Sequence, residues 1–310
     1  MRISLFIEPH RGATYATQLR LARHAEAAGF EGLLRADHYQ AMTADLGLPG
    51  PTDAWITLAG LARETSTLRI GTLVNSATFR LPGPLSIIVA QVDEMSGGRV
   101  DVGLGAGWVE REHHSYGIPF PPVGERFDRL TEQLQVLTGL WRTPVGERFS
   151  FDGKHYQLLD APALPKPVQR PHPPIIVGGR GPRRTPELAA RYADEFNMPF
   201  KTVAETARAF ERVRQACETY GRPPARELVL SAGVVVAIGR TDAEAARRAA
   251  PLHVPSALPP EDPVIGPPDA LVQRIGELRE AGAGRVHLRV IDMADLDLLD
   301  LIASEVLPQF

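Results

Sequence analysis

Residues 68–105 read LRIGTLVNSATFRLPGPLSIIVAQVDEMSGGRVDVGLG, and this stretch decides the fold. Its two ends, 68–75 and 100–105, are short and rich in branched apolar residues, which is typical of β-strands. A helix is predicted between them, near 85–95. Strands that are apolar on both faces and alternate with helices favour a parallel sheet, because the helices then cover both faces of that sheet.

The same alternation extends along most of the chain. Further strands are predicted at 2–8, 30–37, 175–178, near 195–198, at 228–238 and at 285–291. Further helices are predicted at 14–28, 53–65, 125–141, 186–193, 203–220, 269–281 and 295–307. About eight strand–helix units favour a closed (β/α)8 TIM barrel over an open doubly wound sheet. We therefore predict an α/β protein with one barrel domain over residues 1–310.

Two segments interrupt the alternation. Residues 148–159, RFSFDGKHYQLL, predict a β-hairpin inserted between strands 4 and 5, with Asp152 and Gly153 in its turn. This hairpin would serve a dimer contact or cap the barrel, so a homodimer stays open. Residues 251–268 are rich in proline and follow the seventh strand, where either a lid over the barrel mouth or a disordered loop fits.

Composition excludes several classes of protein. The 34 basic and 37 acidic residues give a net charge of −3, which disfavours nucleic acid and anionic membrane surfaces as partners. Cys217 is the only cysteine, so neither an intrachain disulfide nor a cysteine zinc site is expected. No export signal is visible, and no stretch approaches the ~18 apolar residues of a membrane span. We expect a cytoplasmic protein that acts on a small molecule.

In a barrel of this kind, ligands bind at the C-terminal ends of the strands and in the loops that follow. The rule selects Glu8, His10, Asp37, His38, Asn75, Ser76, Gly105, Ala106, Gly107, Trp108, Gly178, Gly179, Arg180, Gly181 and Asn197. His38 is the best candidate for proton transfer, because it follows a strand and imidazole titrates near neutral pH. His10 has a comparable position and is the alternative.

Two glycine runs in this set differ in what they indicate. Gly103, Gly105 and Gly107 lack the spacing of a dinucleotide fingerprint. They either allow tight packing or let a flat ligand approach the backbone. The run 178–181 precedes a helix that Thr185 would cap, so its N–H groups predict phosphate binding, with added charge from Arg180, Arg183 and Arg184.

Other chemistries are disfavoured. Glu110, Glu112, His113 and His114 lack the HExxH spacing, so we predict a solvated or hydrogen-bonded loop there and no metal. The chain contains neither a GxSxG elbow nor a P-loop lysine sequence. Serine hydrolases and nucleotide kinases are therefore disfavoured.

A series of motifs resembles the luciferase-like monooxygenase superfamily, and within it the branch of oxidoreductases that depend on coenzyme F420, a deazaflavin. The motifs are AEAAGFEGLLRADHY (25–39), RIGTLVNSATFRLPG (69–83), VDEMSGGRVDVGLGAGWVEREHHSYG (92–117), PPVGERFDRL (121–130), FDGKHYQL (151–158) and PPIIVGGRGPRRTPELAARYADEFN (173–197). They span about two thirds of the chain and thin out after residue 220. The resemblance implies a barrel that holds a flavin-like ring at its C-terminal mouth.

The resemblance also implies roles for individual residues. It places Asp37 and His38 beside the ring, and Leu73-Val74 at a bulge behind the ring that in many relatives contains a non-proline cis peptide. Contacts with the ring, its side chain or its phosphate are implied for Ser76, Gly105, Ala106, Gly107, Trp108, Gly178, Gly179, Arg180 and Gly181. Sugar-phosphate dehydrogenases of this branch carry a catalytic glutamate where this chain has Trp108. A flat unsaturated or aromatic substrate is expected instead.

The function implied by the resemblance is hydride transfer between F420 and a small organic substrate, with His38 as proton shuttle. Glu8, His10 and Asn197 are weaker candidates for substrate contacts. One alternative is an FMN-dependent monooxygenase, which would need a separate flavin reductase as partner. Another is a non-catalytic flavin- or deazaflavin-binding protein on the same barrel.

Overall fold

Eight parallel strands close into a barrel in the computed structural model, which describes residues 1–42, 47–223, 227–253 and 261–310. The strands are β1 (Arg2–Ile7), β2 (Gly32–Arg35), β3 (Arg69–Ser76), β4 (Val100–Gly105), β5 (Phe149–Asp152), β6 (Gln157–Ala161), β7 (Ile175–Gly178), β8 (Glu195–Pro199), β9 (Val229–Ile238), β10 (Val264–Gly266) and β11 (Arg285–Val290). The ring runs β1-β2-β3-β4-β7-β8-β9-β11. It closes because β8 pairs with β9, where Asn197 lies opposite Ser231, while β11 lies between β9 and β1. The predicted (β/α)8 barrel is confirmed.

Helices follow most of the strands. They are α1 (Tyr15–Ala27), α2 (Ala54–Glu64), α3 (Pro82–Ser96), α4 (Glu110–Ser115), α5 (Val123–Arg142), α6 (Arg184–Tyr192), α7 (Val203–Thr219), α8 (Asp242–Ala249), α9 (Pro268–Glu280) and α10 (Leu296–Glu305). Short 3-10 turns occupy Pro9–Arg11, Ala250–His253 and Leu307–Gln309. Within the described ranges, no helix has the length and apolar character needed to cross a membrane.

Side chains at the helix ends explain several of these boundaries. The Thr14 hydroxyl accepts the Thr17 N–H at the start of α1, and the Asp53 carboxylate accepts the first-turn N–H groups of α2. Both bonds satisfy donors that a helix leaves unpaired at its N-terminus. Gly97 ends α3 in the left-handed conformation, with φ of 68°, which a residue without Cβ adopts at little cost.

The hairpin insertion between β4 and β7 is confirmed. Strands β5 and β6 pair antiparallel, with Asp152 opposite Gln157. The carboxylate of Glu132 on α5 accepts the backbone N–H groups of Lys154, His155 and Tyr156 in the turn. One acidic side chain therefore fixes the hairpin against the outside of the barrel.

Other local predictions are wrong. Residues 110–115 form α4 rather than a loop, because Glu112 and His113 are buried against groups at the barrel mouth. Helix α6 begins at Arg184 with Arg183 at the N-cap, so Thr185 does not cap it. Thr185 instead lies against the glycine turn, where a Cβ on Gly181 would be 2.8 Å from its hydroxyl oxygen. Strand β10 and helix α8 were not expected, and residues 254–260 of the proline-rich segment lie outside the described residues.

Charged side chains fill the N-terminal end of the barrel. The buried Arg285 guanidinium lies 3.0 Å from both Asp101 and Glu195 and 2.8 Å from Glu31, and Glu195 also lies 2.7 Å from His287. Although burial acts to raise the pKa of Glu195, Arg285 and His287 hold that pKa well below its usual value. This end is closed by paired charges, so the opposite, C-terminal end is where a ligand has room.

Candidate functional site

A cavity of about 430 Å³ opens at the C-terminal end of the barrel. Its lining includes almost every residue selected from the sequence: Glu8, Asp37, His38, Leu73, Val74, Asn75, Ser76, Gly105, Ala106, Gly107, Trp108, Gly178, Gly179, Arg180, Gly181 and Asn197. His10 is buried behind this wall, with its ring centroid 5.1 Å from that of His38. The barrel therefore brings the predicted residues together around one space, and their functional roles stay predictions.

His38 is held at the cavity by a buried carboxylate. Its Nδ1 lies 2.7 Å from Oε1 of Glu112, whose Oε2 accepts the Tyr39 N–H at 3.0 Å. Because a carboxylate only accepts, Nδ1 carries the proton, and the neutral ring then leaves Nε2 as an acceptor. Trp108 packs edge-on against the imidazole at a centroid distance of 6.0 Å. These contacts fix the orientation of the His38 ring.

Asp37 belongs to a second buried group. Its carboxylate pairs with the Arg80 guanidinium, which also contacts Asp53 and donates to the Tyr39 hydroxyl at 3.0 Å. Asp53 caps α2, so this group joins the end of β2 to the next helix. Burial and the neighbouring Asp37 raise the pKa of the Tyr39 phenol, which stays protonated. The group fixes the loop that carries His38.

Glu8 and Glu261 share one arginine at the inner wall. The Arg289 guanidinium lies 2.7 Å from Glu8 and 2.6 Å from Glu261. Burial and the Glu8 charge raise the pKa of Glu261, while Arg289 opposes this. Burial lowers the pKa of His10 to about 3, so its ring is neutral. The inner wall therefore carries two carboxylates against one buried guanidinium.

Strands β3 and β4 form a wall of small groups behind the cavity. Their register shifts between Thr72 and Asn75, and the Leu73–Val74 peptide bond inside this bulge is cis, as the resemblance implies. A Cβ on Gly105 would lie 2.8 Å from a Val74 methyl group. Gly105 also lines the cavity. The predicted tight packing is confirmed at Gly105, and the approach of a flat ligand to its backbone stays a prediction.

The glycine turn after β7 adjoins this wall, because β7 pairs with β4. The Gly179 N–H donates to the Asn197 carbonyl at 3.2 Å, so this donor is already used. Arg180 reaches the cavity and is held by a bond from Nε to the Pro199 carbonyl at 3.2 Å. Burial lowers the pKa of Arg180. A phosphate at this turn would therefore depend on Arg180 more than on the Gly179 amide.

Several lining residues escaped sequence reasoning. They are Phe6, Ala36, Met42, Val123, Phe127, Thr185, Pro199, Phe200 and Glu261. Phe200 adopts a left-handed φ of 53°, uncommon for a bulky residue, and its ring packs over Gly233 and against Phe6. The sequence feature that points to Phe200 as a lining residue is its position directly after β8. No sequence feature identifies Glu112, because a run of several charged residues does not show which of them is buried.

These surroundings fit a flat ring with an anionic tail. The apolar wall of Val74, Phe6 and Phe200 suits a large planar group, as ligand sites usually combine apolar surfaces with a few placed polar groups. Arg180 provides a cation at one side of the cavity, and His38 provides a proton acceptor at another. The donor set therefore accommodates a flavin or a deazaflavin phosphate.

Comparisons with known proteins agree with this arrangement. A family model for luciferase-like monooxygenases matches residues 1–259. An F420-dependent glucose-6-phosphate dehydrogenase of Microbacterium testaceum is 35% identical over 173 residues, covering 56% of this chain and 49% of the relative. An FMNH2-dependent dimethylsulfone monooxygenase of Pseudomonas putida is 32% identical over 180 residues, covering 56% and 46%. The chain spans about half the length of these two relatives.

Among solved structures, an F420-dependent secondary alcohol dehydrogenase in complex with an F420-acetone adduct superposes with a TM-score of 0.84. The two chains are 19% identical, and the match covers 99% of this chain and 98% of the other. At this identity the likeness establishes the barrel fold alone.

Proposed function

The chain belongs to the luciferase-like monooxygenase family, and from this premise we propose that it is an F420-dependent oxidoreductase. It transfers a hydride between the coenzyme and a small organic substrate, with His38 as the proton shuttle. The observation that carries the proposal is that His38 lines a cavity of about 430 Å³ and bonds through Nδ1 to the buried carboxylate of Glu112. The F420-dependent relative at 35% identity supports the choice of coenzyme.

When bound, the deazaflavin supplies the hydride donor or acceptor, and the protein supplies binding and orientation. The wall from Val74 to Gly105 would carry the ring, and Arg180 would hold a phosphate of its side chain. A polarised double bond that gains a hydride on carbon needs a proton on its other atom. His38 would give that proton from Nε2 as an imidazolium, which the Glu112 carboxylate stabilises, and would take it back in the reverse direction.

Side-by-side fluorescence titration with F420 and with FMN tests the proposal. We expect F420 to bind at least about tenfold more tightly. Tighter binding of FMN would favour a two-component monooxygenase that needs a flavin reductase, and binding of neither would exclude both functions.

A pair of arginine variants tests where the coenzyme tail lies. Arg180→Gln removes the cation at the cavity and is expected to weaken coenzyme binding about tenfold, within the range of a charged hydrogen bond. Arg183→Gln removes an exposed arginine outside the cavity and serves as the matched control. Equal affinities for the two variants would place the tail elsewhere.

A further inference from the structure

Ser76 at the cavity is the end of a hydrogen-bonded relay that leads to a buried histidine. Its hydroxyl oxygen lies 2.6 Å from the Thr78 hydroxyl, which lies 2.6 Å from Nε2 of His113. On the other side of the imidazole, Nδ1 lies 2.6 Å from the Val109 carbonyl oxygen. His113 is fully buried, and Ser76 is nearly so. Three side chains and one carbonyl thus form a continuous line from the core to the cavity.

The direction of every bond in the relay follows from its last member. A carbonyl oxygen can only accept, so Nδ1 of His113 carries the proton. In the neutral ring Nε2 is then an acceptor, which makes the Thr78 hydroxyl its donor. The single Thr78 proton is used in that bond, so Thr78 accepts from the Ser76 hydroxyl. Ser76 has then given away its only proton and faces the cavity with lone pairs.

We propose that His113, acting through Thr78, is a positioning residue that fixes Ser76 as a hydrogen-bond acceptor for the bound coenzyme. A ligand group at this point must therefore be a donor, either a hydroxyl of the ribityl chain or an N–H of the ring, and not a ring carbonyl. The inference rests on the proposed function because it takes a flavin or deazaflavin as the ligand.

The surroundings of His113 keep the relay in this state. Phe79 and Phe120 pack against its ring at centroid distances of 5.0 and 4.6 Å. Burial lowers the pKa of His113, which keeps the ring neutral, although the Val109 bond and Glu112 oppose this shift. Arg126 adds positive charge nearby and favours the neutral form. Gly107 packs against the Ser76 hydroxyl, and a Cβ at this glycine would collide with it.

A double-mutant cycle measures whether Thr78 acts through Ser76. Thr78→Val keeps the shape and removes the hydroxyl, and it is expected to weaken coenzyme binding about three- to tenfold in the wild-type background. In the Ser76→Ala background the same change should alter affinity less than twofold. Thr78→Ser restores the hydroxyl and should restore binding to within twofold of wild type. Equal effects of Thr78→Val in both backgrounds would overturn the relay.

Two coenzyme analogues test directly whether Ser76 accepts a hydrogen bond from the ligand. Coenzyme analogues methylated at the ring N3–H, or lacking one ribityl hydroxyl, remove one donor at a time. One of them should bind the wild type more weakly and be insensitive to Ser76→Ala. If each analogue loses affinity equally in both proteins, Ser76 does not accept from a ligand donor.

NMR of the protein labelled at histidine nitrogen reports the state of His113 without any ligand. The relay requires the neutral Nδ1–H tautomer, and an Nε2–H tautomer or an imidazolium at pH 7.5 would overturn it. This result stays distinct from the proposed function, which fails if the protein binds neither F420 nor FMN while the Nδ1–H tautomer is present.

Discussion

His38 has two ring nitrogens in different surroundings, and the difference decides what its loss should do. Nδ1 bonds to Glu112, and the proposed function assigns proton transfer to Nε2. His38→Ala is expected to lower turnover by about 10² or more, which is the low end for a general acid or base. Coenzyme affinity should change less than about threefold, because the ring wall and Arg180 are untouched. Steady-state kinetics and coenzyme titration measure the two effects.

His114→Ala is the matched control for that change, because His114 is exposed on α4, two residues beyond Glu112. It should keep wild-type turnover. Unchanged turnover in His38→Ala would remove His38 from the mechanism and leave it as a packing residue.

His10 gives a prediction for stability rather than activity. Burial lowers its pKa to about 3, and its Nδ1 has no hydrogen-bond partner among the residues that the structure describes. The unfolded chain binds a proton here below about pH 6.5, whereas the native protein does not until about pH 3. Stability is therefore lost as pH falls through this window, by up to ~1.4 kcal/mol per pH unit.

A variant that cannot titrate should lack this loss. When the pH is lowered from 8 to 5, the difference in free energy of unfolding between His10→Leu and the wild type should shift by about 2 kcal/mol in favour of the variant. Urea unfolding at both pH values measures it, and comparing each protein with itself cancels the packing difference. Parallel pH dependence in the two proteins would mean that His10 becomes protonated in the native state.

Among the secondary-structure elements, the sequence predicts the strands better than the helices whose buried side chains hold the site residues in place. The runs at 100–105 and 175–178 match β4 and β7 residue for residue. Apart from Asp101, both runs consist of apolar residues and glycine, because both faces of a strand in a parallel sheet are buried. Helix α4 has no such signal. Glu112 and His113 are polar, and they are buried where His38 and Thr78, from the loops after β2 and β3, bond to them.

The residues of the site also differ in how well the sequence predicts them. Candidates at strand ends were predictable, since barrel topology puts all strand ends at one mouth. Glu261 was not, because it precedes β10, which pairs with the far end of β9, and its partner Arg289 is distant in sequence. Long-range pairing of charges leaves no local pattern.

Substitution by alanine is expected to have opposite effects at two glycines, one packed between β3 and β4 and the other in helix α9. A Cβ on Gly103 would collide with the Thr72 carbonyl and lie 2.9 Å from Val74, so Gly103→Ala should destabilise the protein by about 1–3 kcal/mol. Gly276 lies inside α9 with no atom near its missing Cβ. Gly276→Ala should stabilise by about 0.5–1 kcal/mol, since alanine favours the helix. Urea unfolding compares the two, and a neutral Gly103→Ala would show that the bulge can move.

For the whole molecule, the two ends of the barrel have separate tasks. Arg285 and its carboxylates hold the N-terminal end together across β4, β8 and β11. The cavity occupies the other end, where the β3 bulge and the glycine turns leave room. Because the paired charges hold the strands together at the N-terminal end, the C-terminal end can carry uncommon backbone conformations and polar side chains that face a ligand.

Closure of the ring predicts that the last fifty residues are needed although the family match ends at 259. A chain ending at residue 259 lacks β11 and exposes the pairing edges of β1 and β9, together with the partners of Arg285. Open edges invite aggregation. We expect this variant to be insoluble or to elute as large species without coenzyme binding. A chain ending at Val306 keeps β11 and loses only the final turn, so it should remain folded and bind coenzyme. A folded, coenzyme-binding 1–259 fragment would show that seven strands suffice to form the mouth.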